Sequence, residues 1–277
     1  MGWTDRQRAM LEEMGIRLWV PATAPPRAAS APGVGAPRPA AVAVPMSDRA
    51  AVPSAPTPAR LTLDSDRASD RVSDLASEFA ALDVGALAVR AAVCTACPLC
   101  AGRSRSVFGS GNPQADWMVV GDAPDADDDA AGEPFAGRAG QLLDNMLAAM
   151  RLSRGDAPRA RQAYVTPSVK CRPPAGRAPE PREVERCRPY LARQVGLVQP
   201  RLIIAMGRVA AQSLLGTAEP ITRLRGRVHR FEGVPVIVTY PPAHLLRHPQ
   251  DKAGAWEDLC LALEVARDAD AAQTDSR

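Results

Sequence analysis

Four cysteines limit what this chain can fold into more than any other feature. Cys94 and Cys97 form a C-x-x-C pair, and Cys171 and Cys187 follow as C-x₁₅-C in a stretch dense with arginine and proline. Thiolates at such spacing can close on one soft metal centre, and four of them complete the ligand set of a cubane iron–sulfur cluster or of a structural zinc. The fold must therefore bring two segments far apart in sequence to one point. Cys100, three residues past Cys97, could compete as a ligand. Cysteines used in this way suit a reducing compartment better than a disulfide scaffold.

Composition divides the chain. Between Pro21 and Arg60 it is almost wholly Pro, Ala, Ser, Gly and Val, with ten of the 27 prolines. Such a stretch cannot bury enough apolar surface to offset its ordering entropy, so residues 21–68 are predicted to be a disordered Pro/Ala-rich linker. Ahead of it, residues 1–20 form an island. Thr4-x-x-Gln7 is a capping-box pattern, and Met10, Leu11 and Met14 share one side of a short helix. A helix this short is marginal alone, so it either docks on its own domain or is captured by a protein partner. One domain is expected over residues 69–268, with 269–277 as a disordered tail. No apolar run approaches the length of a membrane span, and the first residues lack the apolar segment of a secretory signal. The expectation is a cytoplasmic monomer with no membrane partner.

Within the domain, strand-like runs alternate with helical ones. The strands are Trp117–Val120, Ala163–Val165, Leu202–Met206 and Val234–Thr239. Helical spacing covers 73–93, with a break near Gly85, and then 141–150, 182–198, 209–215 and 252–266. This alternation predicts an α/β fold, a three-layer doubly wound parallel sheet with helices on both faces. Working loops in such folds lie at the carboxyl ends of strands, here from Gly121, Thr166 and Tyr240 onward. Net charge is only +3, but arginines crowd residues 103–188 and 223–230. They are either a phosphate-binding surface or simply an arginine-rich one.

Three blocks sharpen the reading. Gly121-Asp-Ala-Pro124, Gly132-Glu-Pro-Phe-Ala-Gly-Arg-Ala-Gly-Gln-Leu-Leu143 and Lys170-Cys-Arg-Pro-Pro174 resemble the type-4 uracil-DNA glycosylases, over about residues 90 to 260. The resemblance implies the uracil-DNA glycosylase fold, DNA as partner, hydrolysis of an N-glycosidic bond, and a [4Fe-4S] cluster on Cys94, Cys97, Cys171 and Cys187. It implies base binding by Gly121 and by Phe135, whose ring would stack on a flipped-out base. It also gives Asp122 the place of a catalytic carboxylate, where the family has a glutamate, to steady an oxocarbenium-like transition state. Asp125 replaces a family glycine and is expected to crowd the pocket, while Asp127, Asp128 and Asp129 are expected in a solvated loop. Arg138 opens a helix that could meet a phosphate. The segment Ala243–Arg247 resembles the family's wedge loop, with Leu245 or Leu246 entering the base stack and Arg247 on a phosphate; either leucine could instead be core.

The chain also departs from the family. Pro167 stands where an asparagine amide reads the uracil edge, and Pro241 where a histidine polarises the base carbonyl. Proline offers neither a side-chain donor nor a backbone N–H. His244 and His248 lie three and seven residues beyond Pro241. The resemblance thus implies a DNA-repair protein that recognises an extruded base, with uracil excision weakened or lost. The alternatives are a glycosylase for another lesion and a non-catalytic DNA-binding or adaptor protein.

Overall fold

The computed structural model describes Leu75 and residues 77–275, with side chains through residue 269. The N-terminal peptide and the linker expected over 1–20 and 21–68 lie outside the described residues. The sheet comprises β1 (Trp117–Gly121), β2 (Ala163–Pro167), β3 (Leu202–Met206), β4 (Val228–Phe231) and β5 (Val234–Thr239), in the order β2-β1-β3-β5-β4. The pairs β1–β2, β1–β3 and β3–β5 are parallel. Strands β1, β2 and β3 are buried along their whole length, as unbroken apolar runs must be when helices cover both faces of a parallel sheet.

One face carries α3 (Arg138–Ala149), α7 (Pro242–Arg247) and α8 (Lys252–Asp275). Leu142, Leu143, Met146 and Leu147 of α3 meet Trp256 and Leu259 of α8 in its core. The other face carries α4 (Pro181–Val198), α5 (Arg208–Leu215) and the short α6 (Ile221–Leu224); Leu191, Val195, Ala210, Leu214 and Leu224 pack there with Met118, Val120, Ile203 and Ala205. Alternating strand residues feed the two cores, which is the period-two geometry of a covered sheet.

Three features differ from the reading of the sequence. Strand β4 is an antiparallel edge, joined to β5 through Glu232 (φ 49°) and Gly233 (φ 86°). Two left-handed residues make the tight turn that matches strand twist. Its Val-His-Arg-Phe pattern buries only Phe231, which hid it among charged residues. The helical break expected near Gly85 falls two residues earlier, where the Asp83 side chain caps α1 (Val84–Ala92) by accepting from the Ala86 N–H at 2.7 Å. Finally, α8 continues to Asp275, so residues 269–275, expected to be tail, are helical. The Ala-rich stretch past Ala266 has the propensity to extend the helix.

A small third core holds α1 against α4. Phe79, Leu87, Ala91, Phe108 and Tyr190 form it, with Cys94 and Cys187 packed at its border. The Phe79 and Tyr190 rings are 4.4 Å apart and tilted by 44°. Among the described residues, no helix is long and apolar enough to cross a membrane.

Candidate active-site cleft and thiol cavity

Strand register sets the cleft. Gly121 ends β1 opposite Pro167 of β2 and Met206 of β3, so the loops that follow leave one edge of the sheet together. They enclose a cleft of about 600 Å³. Its walls are the 121–126 segment, Phe135, Pro167, the loop from Arg172 to Pro179, Arg208 and Val209 of α5, and Pro241, Ala243, His244 and Arg247 at α7. The site residues read from sequence therefore converge: Gly121, Asp122, Asp125, Phe135, Pro167, Pro241 and Arg247 all border this cleft.

Phe135 is caged. Its backbone is left-handed (φ 55°), a conformation that costs a non-glycine residue on the order of 1 kcal/mol. Glycines surround it: a Cβ on Gly121 would sit 2.6 Å from the ring's Cζ, and one on Gly140 would collide with the Phe135 carbonyl. The next residue is clasped as well, since the Ala136 N–H donates to Asp128 at 2.8 Å. Buried Asp129 accepts from the Ser104 N–H at 2.9 Å. The acidic run is therefore not a solvated loop; it lies in α2 (Ala126–Ala131), and two of its carboxylates pin neighbouring segments. Burial pushes Asp128 up to about 6.

Asp125 does not crowd the cleft as expected. Its side chain turns back to cap α2, accepting from the Asp127 and Asp128 N–H groups at 2.9 and 3.0 Å. Asp122 is committed in a similar way. Its carboxylate accepts from the Ala210 N–H at 2.9 Å and from the amides of Val209 and Arg208, so it caps α5 from outside. The residue at the helix's own cap position, Gly207 (φ 122°), has no side chain to do so, and a Cβ there would collide with the carboxylate. Burial raises Asp122 to about 6, against the lowering pull of those amides and of the Arg208 guanidinium.

Arg138, Leu245 and Leu246 lie outside the cleft wall. Leu245 is fully buried in the α3–α7–α8 core, which removes it as a wedge: an amphipathic helix turns one of two adjacent leucines inward. Leu246 is the exposed one, at 39%. Sequence reasoning missed Arg208 as a cleft residue, and its signal was its place just past the carboxyl end of β3. Arg172, Arg208 and Arg247 border the cleft without an ion-paired carboxylate among the described residues, whereas Arg177 is held by Glu183 at 2.7 Å. His244 also faces the cleft, with Nε2 2.6 Å from Asp251 Oδ2.

A second, smaller cavity brings the cysteines together. Cys94, Cys97, Cys100, Cys171 and Cys187 line it with Lys170, Arg186 and Tyr190. Cys94 follows α1, Cys97 precedes a 3₁₀ turn (Pro98–Gly102), Cys171 follows β2 and Cys187 lies inside α4. The Arg103 guanidinium donates to Cys171 Sγ at 3.1 Å, and the Lys170 N–H to Cys187 Sγ at 3.3 Å. Burial pushes the Cys187 thiol up to about 12 and raises Cys97 and Cys171 too. None of the cysteines is in a disulfide. No three His, Cys, Asp or Glu side chains among the described residues are arranged to hold a single ion; the thiols line a wall instead. An all-sulfur donor set that accepts from the Arg103 guanidinium and the Lys170 N–H is the chemistry that a soft, anionic centre requires.

Lys170 joins the two cavities. Beside the thiols, its buried ammonium donates to Thr166 Oγ1 and to the Pro167 carbonyl, both at 2.7 Å, and burial lowers it to about 7.

Comparison with known proteins agrees with this geometry. The sequence profile of the uracil DNA glycosylase superfamily matches residues 108–261. The chain is 40% identical to the type-4 uracil-DNA glycosylase of Pyrobaculum aerophilum, over 61% of this chain and 87% of that protein. It is 41% identical to the type-4 enzyme of Archaeoglobus fulgidus, over 57% and 80%. Likeness to a type-5 uracil-DNA glycosylase of Pyrobaculum aerophilum is lower, 33% over 49% and 64%.

Proposed function

The chain belongs to the uracil DNA glycosylase superfamily, in its type-4 branch, and on that premise we propose that it is a DNA-repair protein that binds DNA around an extruded base and excises uracil weakly or not at all. The observation that carries this reading is the composition of one cleft: Phe135 is rigidly presented there, and both positions that should read the base are prolines.

The reaction breaks the bond between C1′ and the base. Its electron pair leaves with the base, positive charge builds on the sugar, and water completes the exchange. Two kinds of group lower the barrier: donors on the departing base and a negative charge under the sugar. Pro167 and Pro241 supply no donor. Asp122 supplies a carboxylate whose oxygens are engaged by the amides of α5, so its field is already balanced in part. Loss of one preorganised donor costs about 10²–10³ in rate, which makes weak excision the natural outcome.

Binding fares better. The Phe135 ring offers a stacking face, and Arg172, Arg208 and Arg247 leave three guanidinium groups for phosphates. Exposed Leu246 is the remaining candidate wedge, and Arg138 a flanking phosphate contact. Cys94, Cys97, Cys171 and Cys187 would hold a [4Fe-4S] cluster, which when bound supplies a cross-link among three segments. One of those segments, the loop after Cys171, is a wall of the cleft.

The test is single-turnover excision by iron-replete protein, across uracil and other damaged bases, beside binding to the same DNA. Nanomolar-to-micromolar binding with slow or absent excision is expected. Uracil release at the rate of the Pyrobaculum aerophilum enzyme would overturn the reading. The two prolines and the committed Asp122 equally favour a second reading, a non-catalytic DNA-binding protein. Binding without release of any base would select it.

A further inference from the structure

On the α7 rim of the cleft, four flat groups lie face to face. The Arg225 guanidinium carbon is 4.3 Å from the centre of the Tyr240 ring. Tyr240 stacks on His244 with centres 5.0 Å apart and planes 20° apart, and His244 on His248 at 4.3 Å and 19°. Three of the four layers are held from the side. Arg225 Nε donates to the buried Asp258 carboxylate at 2.6 Å, His244 Nε2 pairs with Asp251, and His248 Nδ1 lies 3.2 Å from the His244 carbonyl. Among the described residues nothing continues the column beyond His248, which is exposed.

A structural role does not account for the outer end. Tyr240 and His244 are partly buried, and their stacking serves packing. His248 sits at the end of α7, contributes to no core, and still is ordered by a ring face and a hydrogen bond. An exposed flat group fixed in advance loses little freedom when a second flat group settles on it. Its neighbour in sequence, Arg247, borders a cleft where three guanidinium groups make no ion pair with a carboxylate among the described residues. A ligand that alternates phosphates with flat rings matches that combination, and an acidic peptide matches only half of it.

We infer that the outer face of His248 is a nucleobase-stacking site, separate from the pocket under Phe135, that receives an unpaired base flanking the extruded one. The inference rests on the DNA-binding reading above. It gives the protein two ring faces on one strand, one inside the cleft and one on its rim, with Arg247 between them.

The experiment compares affinity for a single-stranded oligonucleotide with affinity for an abasic strand of equal length, which keeps the phosphates and removes the rings. Wild-type protein should prefer the strand with bases. His248→Ala should lose about fivefold of that preference, the low end of a single base–aromatic stack, and keep its affinity for the abasic strand. His248→Phe should retain the preference, and Phe135→Ala should remove a separate, multiplicative share. Arg208→Ala should weaken both strands alike. An unchanged preference in His248→Ala, with both strands still bound, overturns the stacking site and leaves the DNA reading standing. Failure of wild-type protein to bind either strand overturns both, and the Arg208 variant tells electrostatic binding apart from none.

Discussion

The thiol cavity and the cleft meet at residues 166–172, yet they are specified in opposite ways. The cavity depends on what its residues are: remove a sulfur and its chemistry is gone. The cleft depends on where the backbone runs. Its register, its glycines and its caged phenylalanine are in place, while the two positions expected to read a base, 167 and 241, are prolines. On the reading proposed above, a site's scaffold and its chemistry are separable, and the scaffold has outlasted part of the chemistry. Lys170 ties the two, since its N–H holds Cys187 Sγ and its ammonium holds the Pro167 carbonyl.

The comparison breaks most easily at the sulfurs. Cys187→Ser should take iron from about four per chain to below one and expose the 172–186 loop to protease. Cys260→Ser, outside the cavity, should do neither; metal analysis and limited proteolysis check both. Next come the adjacent leucines. Leu245→Ala should destabilise the domain by about 2–5 kcal/mol in denaturant melts, while Leu246→Ala should stay within about 0.5 kcal/mol and act only on DNA affinity. A similar effect at both would contradict the burial of Leu245.

The cleft is broken by adding chemistry. Pro167→Asn with Pro241→His should raise single-turnover uracil excision by about 10²–10³ or more, and each change alone by less. No gain, with folding and DNA binding preserved, would show that the scaffold has drifted as well. The smallest effect is acid–base. Asp122 has a folded value of about 6 against an ordinary 3.8, so the folded state holds the proton more tightly than the unfolded chain. Its contribution is full below about pH 4 and is lost as pH rises through 6. Wild-type stability relative to Asp122→Asn should fall by about 2 kcal/mol between pH 4 and pH 7. A flat difference would mean that the capped carboxylate is not perturbed.

Much of the fold was legible because parallel strands buried on both faces must be unbroken apolar runs. Leu202–Met206 and Val234–Thr239 have the bounds read from sequence. Strand β4 was illegible for the complementary reason: an edge strand with one buried residue follows no apolar pattern. At the site, Gly121, Asp122, Asp125, Phe135, Pro167, Pro241 and Arg247 converge on one cleft, because register aligns the strand ends they follow, while Arg138, Leu245 and Leu246 fall outside it. Side-chain direction was not legible. Asp122 and Asp125 border the cleft, but their carboxylates cap helices: Asp125 the one that follows it, and Asp122 that of a distant segment, which sequence does not reveal. The stacked column escaped notice too, because Arg225 and Tyr240 are not neighbours in sequence.

The glycine cage around Phe135 has a consequence for how this protein can change. Gly121 and Gly140 hold no room for a methyl group, and Asp128 fixes the loop from the other side. Variation at those positions tilts or expels the ring before it alters what the cleft accepts. Positions 167 and 241 border the same space and do not belong to that cage. Diversification of base preference, by natural drift or in a selection library, is thereby channelled through two sites, and the two prolines occupy them.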